Sequence, residues 1–383
     1  MYSRIVNILL SHSFFLFGAR GTGKSTHLGM ILDRLHPLVF DLLDTSMELE
    51  LSKNPELMLQ RSIESNTKWI FIDEVQKVPQ LLDWVHKGIE QHGLKFALTG
   101  SSARKLKRGG ANLLAGRAFI YNLFPLLHSE LKDSFDLMHI LRFGALPKVF
   151  SFHTDHEKVL FLRAYANTYL KEEIQSEQLV RNLPSFQRFL EVAAQSNGQI
   201  LNYSKIGRDA LLEPKTVERY FEILEDTLLG HRISGFHGSV RKQLSLSPKF
   251  YFFDLGVKRA LEKSVADPLR QGSYEYGRAF EHFIICECLR LNAYLEKDYR
   301  FYYLKTKDNA EIDLVIDRGR KGHCLIEIKS ADKVSSDSTR TLEKFIGDFR
   351  RAQAFVICQE KSPKKIGNVS VLPWKQGLKK IFD

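Results

Sequence analysis

The chain is poor in cysteine: 383 residues carry four, Cys286, Cys288, Cys324 and Cys358. None sits in a CxxC pair and no histidine cluster has zinc-site spacing, which argues against a disulfide scaffold and a structural zinc. Four scattered thiols read as reduced and mostly buried, as in a cytoplasmic protein. Long apolar runs are missing too. No stretch approaches the roughly 18 apolar residues of a membrane span, so no membrane partner is expected. The segment MYSRIVNILLSHSFFLF is apolar only in patches, is broken by Arg4, Asn7, Ser11 and His12, and runs straight into glycines. It is not expected to be a signal peptide. Internal repeats and low-complexity tracts are absent. Acidic residues fall short: 45 Asp and Glu face 56 Lys and Arg, a net charge of +11. Such a surplus favours a polyanionic partner, nucleic acid before acidic membrane, although it also serves solubility alone.

What is present suits a soluble globular protein, with 44% hydrophobic and 26% charged residues. The length fits two or three domains of ~100–200 residues. Short apolar strands alternate with helical patterns through the first part, as in an α/β sheet: 13–17, 38–41, 68–72, 95–99 and 118–123. The expected organisation is an ATPase-like domain at 1–130, a helical region at 131–198, a winged helix at 199–262 and a second α/β domain at 263–383. The segment 263–272, with Asp267-Pro268, reads as a linker.

Gly18-Ala19-Arg20-Gly21-Thr22-Gly23-Lys24-Ser25 fits G-x-x-x-x-G-K-[ST], with Thr26 following. A strand precedes it and a helical pattern follows. Glycines let successive backbone N–H groups curl around phosphates, and the helix aims its positive N-terminus at them. Lys24 would bridge the terminal phosphates of ATP, and the Ser25 hydroxyl would ligate magnesium. In Trp69-Ile-Phe-Ile-Asp73-Glu74 a buried strand delivers Asp73 to the magnesium shell and Glu74 to the attacking water. In Leu98-Thr99-Gly100-Ser101-Ser102, Ser101 is the candidate for the γ-phosphate or the water, with a plain turn as the other reading. Arg117 reads either as an arginine finger, in cis or from a neighbour in a homo-oligomer, or as a structural salt bridge. Arg104, Lys105, Lys107 and Arg108 form a basic loop, solvated or touching nucleic acid.

The stretches GARGTGKST, FIDEVQKVPQLLDWV, LTGSSARKL and LLAGRAFIYNLFPL resemble the AAA-type ATPase module of a prokaryotic family. The C-terminal half of that family is domain of unknown function 4143 (DUF4143). The likeness continues through TYLKEEI, KTVERYFEILEDTLLG and KFYFFDLGVKRAL. It implies an AAA-like core, a winged-helix region and an endonuclease-like tail.

Residues 199–212 read as a strand and a first helix, and Pro214 suits the first turn of a second. Val217, Tyr220, Phe221, Leu224 and Leu228 give the second helix an apolar face. Strands at 231–236 and 244–253 would form the wing. In this helix-turn-helix arrangement, Lys215, Thr216 and Arg219 lie on the early turns of the recognition helix, and Arg241 and Lys242 near the wing tip. Glu213, Glu218, Glu222 and Glu225 dilute its positive face, and such modules also serve as connectors.

Near the end, Ala310-Glu-Ile-Asp313-Leu-Val-Ile-Asp and Gly322-His-Cys-Leu-Ile-Glu327-Ile-Lys329 alternate as strands around a five-residue turn. Pairing Asp317 with His323 puts Asp313 opposite Glu327, with Cβ atoms about 5 Å apart. Lys329, two residues on, shares their face. Paired carboxylates repel and raise a pKa; a divalent cation resolves the conflict, and oxygen ligands favour magnesium or manganese. The set resembles the P-D-(D/E)-x-K nuclease core, without its proline, since Ile312 precedes Asp313. The resemblance also calls for an acid from the preceding helix: Glu281, with His282 a weaker neighbour and Arg278 a possible ion-pair partner. Arg340, Lys344, Arg350 and Arg351 would grip phosphates.

The expectation is therefore an α/β chain: a P-loop AAA-type core, a helical and winged-helix middle, and a restriction-endonuclease-like α/β domain. It would be an ATPase acting on nucleic acid, DNA first, with ATP gating a magnesium-dependent nuclease. The rival readings are an ATP-switched DNA-binding regulator with an inactive nuclease-like domain, and a signalling ATPase that recruits a protein.

Overall fold

The computed structural model describes residues 2–101, 106, 114, 116–169, 182–237, 246–308 and 310–383. Five strands make the first sheet: β1 (Ser13–Phe17), β2 (Leu38–Asp41), β3 (Trp69–Asp73), β4 (Lys95–Gly100) and β5 (Ala118–Asn122). All pair in parallel, in the order β2-β3-β4-β1-β5. SFFLF and WIFID are buried throughout, because helices cover both faces of a parallel sheet. Those helices are α1 (Lys24–Leu32), α2 (Thr45–Lys53), α3 (Glu56–Glu64) and α4 (Leu81–His92). Asp44 caps α2 by accepting the backbone N–H of Ser46 at 2.8 Å. The order brings the carboxyl ends of β1, β3 and β4 to one edge, where ligands of open α/β sheets bind.

The middle of the chain is helical: α5 (His128–Leu131), α6 (Leu137–Phe143), α7 (Asp155–Ala164), α8 (Leu183–Gln195), α9 (Tyr203–Ala210), α10 (Pro214–Asp226) and α11 (Leu255–Leu261). Pro214 opens α10, and Val217, Tyr220, Phe221 and Leu224 are buried along it, at the spacing of an amphipathic helix. They join Phe186, Phe189 and Phe250 in one core, which also takes in Ala19 from the loop after β1.

The second sheet is mixed and has the order β12-β13-β11-β10-β9-β8-β6-β7. Its strands are β6 (Gly230–Gly235), β7 (Lys249–Phe252), β8 (Arg300–Lys305), β9 (Glu311–Asp317), β10 (His323–Ile328), β11 (Gln353–Cys358), β12 (Lys364–Ile366) and β13 (Val369–Pro373). The long helix α12 (Tyr274–Tyr294) packs on it beside α14 (Trp374–Phe382), and α13 (Arg340–Phe345) lies nearer β9–β11. β9 and β10 form the expected hairpin, antiparallel from Asp317 opposite His323 to Leu314 opposite Ile326.

Two features differ from the sequence expectation. The β6–β7 hairpin, expected as a separate wing, continues into the C-terminal sheet, with Ser234 and Gly235 of β6 pairing parallel with Tyr302 and Tyr303 of β8. Local patterns give strands but not distant partners. The expected linker 263–272 is packed down, with Val265 and Leu269 buried; two apolar anchors are easily lost among polar neighbours. All four cysteines are free and buried. Among the described residues no helix is long and apolar enough to cross a membrane.

Candidate functional site

The glycine loop runs from the end of β1 into α1. A Cβ on Gly18 would stand 2.3 Å from the Leu123 carbonyl oxygen, so only glycine fits there. Gly23 has φ +92°, a left-handed conformation that glycine adopts at no steric cost. Lys24 is buried, and its ammonium donates to the Gly18 carbonyl at 2.8 Å and lies 3.9 Å from Glu74 Oε1. Ser25 Oγ donates to Asp73 Oδ2 at 2.6 Å. The pair expected to share a magnesium shell is thus in direct contact. Ala19, Arg20, Gly21 and Thr22 complete the loop, with Thr22 Oγ1 donating to the Ala19 carbonyl at 2.9 Å. Ser25 and Thr26 are exposed on the first turn of α1.

Sequence reasoning missed two residues here. The Thr99 hydroxyl donates to the second oxygen of Asp73 and accepts the Glu74 N–H at 3.0 Å. The Gln76 amide donates to Glu74 Oε2 and, at 3.3 Å, to Ser101 Oγ. Glu74 holds φ 58° and ψ 47°, a left-handed conformation that costs a non-glycine residue about 1 kcal/mol or more. Its carboxylate is thereby turned toward Lys24 and Gln76. Thr99 lies in the LTGSS stretch that signalled a polar strand end; Gln76 had no local signal. Ser101 is buried and reaches Glu74 through Gln76. Arg117 pairs with Glu90 on the surface, half-exposed.

Two contacts tie this loop to the rest of the chain. The Tyr165 hydroxyl donates to the Arg20 carbonyl at 2.7 Å, and the Tyr165 ring lies beside Gly21. The Arg4 guanidinium, almost fully buried, donates to the Thr22 carbonyl at 2.9 Å, to Glu130 at 3.1 Å and to the Tyr294 hydroxyl at 3.0 Å. Tyr294 is the last residue of α12, so one side chain bridges the glycine loop and the long C-terminal helix. Beside Arg4, a cavity of about 510 Å³ opens between the N-terminal segment and α1. His27 lines it, with neither ring nitrogen hydrogen-bonded. Burial, helped by the Arg4 charge, pushes its pKa down to about 4.

The second cluster forms where β9, β10, α12 and β7 meet. The paired register ends at Leu314 opposite Ile326, one step short of Asp313 and Glu327. Asp313 Oδ2 accepts the Ile328 N–H at 2.8 Å. Lys329 Nζ lies 2.6 Å from Glu327 Oε1, while Glu327 Oε2 is buried with no hydrogen-bond partner. Glu281 accepts the Tyr251 hydroxyl at 2.7 Å and lies 3.9 Å from the Lys249 ammonium, which also pairs with Glu311 at 2.6 Å. Burial and then the Asp313 charge push Glu281 up to about 7, against Lys249 and Tyr251. The same two causes push Glu327 up to about 7, against Lys329. Burial raises Asp313 as well. Glu281, Asp313, Glu327 and Glu311 therefore share one electrostatic neighbourhood with Lys249 and Lys329. Lys249 and Tyr251 had no signal in the sequence; they arrive from β7, expected as part of a separate wing.

As the side chains stand, the described residues hold no group of three or more His, Cys, Asp or Glu arranged to bind a metal ion. This departs from the expected ligand set of Glu281, Asp313 and Glu327. Its cause is local: Tyr251 and Lys249 draw Glu281 aside, Lys329 engages Glu327, and a backbone amide engages Asp313. The donor chemistry still suits a hard cation, since the acids face one another and one Glu327 oxygen is buried without a partner. His282 is a packed core histidine, with its Nε2 2.6 Å from the Phe252 carbonyl and its pKa pushed down to about 3 by burial. Arg278 donates to the Asn197 carbonyl rather than pairing with Glu281.

Lys215 and Arg219 are exposed on α10, with Thr216 beside them. Arg241 and Lys242 lie outside the described residues, as do Arg104, Lys105, Lys107 and Arg108. Arg340, Lys344, Arg350 and Arg351 are exposed around α13, with Arg340 paired to Asp337.

Comparison with known proteins gives three matches to family models. Residues 11–132 match an AAA domain, residues 134–267 a domain of unknown function (DUF8612), and residues 276–376 a domain of unknown function (DUF4143). The chain thus carries an AAA domain, the module of ATP-binding ATPases, and a DUF4143 domain. No curated protein matches the chain significantly. The Orc1 protein of Aeropyrum pernix, solved in complex with DNA, aligns at 14% identity over 66% of this chain and 86% of its own, with a TM-score of 0.27. McrB AAA+ hexamers of Thermococcus gammatolerans with bound McrC align at 11% identity over 67% of this chain and 73% of theirs, with a TM-score of 0.24.

Proposed function

We propose that this protein hydrolyses ATP at the glycine loop and uses nucleotide occupancy to gate a magnesium-dependent nuclease centred on Asp313, Glu327 and Lys329, with DNA as substrate. The observation that carries the nuclease reading is the convergence of Glu281, Asp313 and Glu327 beside Lys329, with one Glu327 oxygen buried and unpartnered. Buried like charges are costly; a divalent cation held by Asp313 and Glu327, with Glu281 as a further acid, would offset them. That ion, magnesium or manganese, would supply an activated water and shield the phosphate charge. Lys329 would hold the phosphate or take a proton from water. Tyr251 and Lys249 would position Glu281.

At the nucleotide end, Lys24 and the loop amides would bind the phosphates, Ser25 and Asp73 the magnesium, and Glu74 the attacking water. Gln76 and Thr99 would fix the directions of Glu74 and Asp73. The cavity lined by His27 would take the base. Arg117 would serve as a finger only in trans, within a homo-oligomer, after leaving Glu90. Gating would run through Arg4, which touches both the loop and Tyr294 of the helix that carries Glu281. The net charge of +11, together with Lys215, Thr216 and Arg219 on α10, supports DNA as the partner.

The test is cleavage of labelled DNA with magnesium by the wild type, Asp313→Ala and Lys329→Ala. Loss of cutting in both variants is expected. Equal cutting by all three proteins would remove the site assignment. Tight DNA binding with no cleavage of DNA or RNA by the wild type would favour the alternative, an ATP-switched DNA-binding regulator.

A further inference from the structure

A cavity of about 490 Å³ lies between α11, the packed 263–272 segment and the first turns of α12. Its wall is rich in cations: Lys258, Arg259, Arg270 and Arg278 all line it. Glu262, Asp267 and Glu275 line it as well, so four cations face three acids. Arg259 is almost fully buried, and its Nε has no hydrogen-bond partner. Its Nη2 is held by the carbonyls of Ser264 and Asp267, at 2.6 and 2.7 Å, which fixes the guanidinium in place. Lys258 pairs with Glu262 at 2.6 Å. Burial nevertheless lowers its pKa, and the Arg278 and Arg259 charges add to the lowering. The helix capped by Ser273, whose hydroxyl accepts the Tyr276 N–H, opens onto the same cavity, and a helix N-terminus favours an anion.

At the mouth stands Tyr274, 72% exposed, with the Arg278 guanidinium 5.8 Å from its ring centre. An exposed aromatic ring beside an arginine is a stacking platform for a nucleobase. Tyr274, Arg278 and Glu281 follow one another at positions i, i+4 and i+7 of α12, and so share a single stripe. The stripe from Tyr274 to Glu281 is about 10 Å long at ~1.5 Å per residue. That is about three phosphate steps of a B-form strand at ~3.4 Å each.

We propose that this cavity is a nucleotide-binding subsite for a nucleic-acid strand: a backbone phosphate enters between Lys258, Arg259, Arg270 and the start of α12, and its base stacks on Tyr274. The strand then continues along the stripe toward Glu281. The inference takes from the proposed function only that nucleic acid passes the carboxylate cluster; it requires no cleavage. A free nucleotide offers the same phosphate and base, so the test must separate the two sources.

The experiment is fluorescence anisotropy with a labelled single-stranded oligonucleotide, in EDTA and without ATP, across a salt series. A labelled deoxynucleoside 5′-monophosphate is run in parallel. The proteins are the wild type, Tyr274→Ala and Arg270→Gln. Tyr274 and Arg270 are exposed, so their replacement leaves the core intact, which a thermal melt checks. Oligonucleotide affinity should fall about tenfold in Tyr274→Ala through lost stacking. The salt dependence should lose ~0.7 from its slope in Arg270→Gln. Unchanged oligonucleotide binding in both subsite variants, or no binding by the wild type, would overturn the subsite. Tyr274-dependent binding of the mononucleotide alone would replace the strand with a free nucleotide. Failure of the nuclease reading looks different: the wild type cuts nothing, whatever the subsite variants do to binding.

Discussion

The two clusters treat charge in opposite ways. Around the glycine loop, each charged group meets a partner within the fold. Lys24 is bonded to the Gly18 carbonyl, Asp73 accepts both Ser25 and Thr99, and Glu74 accepts Gln76. Around Asp313, acids face acids. Burial and mutual repulsion hold Glu281 and Glu327 near 7, and one Glu327 oxygen has no partner. The first site is organised by its own hydrogen bonds. The second stores an unfavourable interaction that an external positive charge would relieve. A protein that listens to one ligand at a finished site and acts at a strained one can be built from this difference.

The comparison breaks most plainly at Lys24. Lys24→Ala should lower ATP hydrolysis by about 10²–10³-fold, the usual cost of losing a group aimed at developing phosphate charge, measured by phosphate release. A variant as active as the wild type would show that the loop is not the hydrolytic site.

The next effect is on stability. Glu281 and Glu327 have folded-state values of about 7 against an ordinary 4.5. A carboxyl group with a raised folded pKa contributes stability that is complete below its unfolded value and is lost as pH rises through its folded value. In EDTA, stability should therefore decline between about pH 4.5 and 7, by on the order of 3 kcal/mol for one such group. Denaturant melts across that window read it directly. Magnesium should restore part of the loss at pH 8 in the wild type and not in Asp313→Ala. A flat profile would remove the contrast between the clusters.

The bridge between them is sharpened at Tyr294. Tyr294→Phe removes the hydroxyl that accepts from Arg4 and from the Phe124 N–H. It should cost about 1–2 kcal/mol of stability, because two donors lose their acceptor. ATP hydrolysis should persist, while its influence on DNA cleavage should weaken. The smallest effect is expected at Gln76→Ala: a fall of about tenfold in kcat with KM little changed, the signature of a group that positions Glu74 rather than binding ATP.

Much of this was legible in the sequence, for physical reasons. Gly18–Ser25 and the run ending in Asp73-Glu74 announce themselves because backbone curvature and buried parallel strands impose strict residue types. The hairpin register from Asp317 opposite His323 to Leu314 opposite Ile326 followed from alternation and a short turn, which together leave one pairing. Thr99, Gln76, Lys249 and Tyr251 were not legible in this way. Their roles depend on contacts between elements distant in sequence, and nothing local marks a buried lysine or an amide as a positioning group. The β6–β7 hairpin shows the same limit. Its strands were readable, but its edge joins β8, and this is what brings Lys249 and Tyr251 to Glu281. Arg4, which first read as an interruption of an apolar N-terminus, is buried because it satisfies the carbonyls of Thr22 and Phe124 together with Glu130 and Tyr294.

The central claim is that nucleotide at the loop governs chemistry at Asp313. Its most direct test is the initial rate of magnesium-dependent cleavage of one labelled DNA, with and without ATP, for the wild type and for Lys24→Ala. The expected result is cleavage by both proteins, with a rate that changes with ATP in the wild type and ignores ATP in Lys24→Ala. Cleavage that responds to ATP equally in both proteins, or in neither, would contradict it.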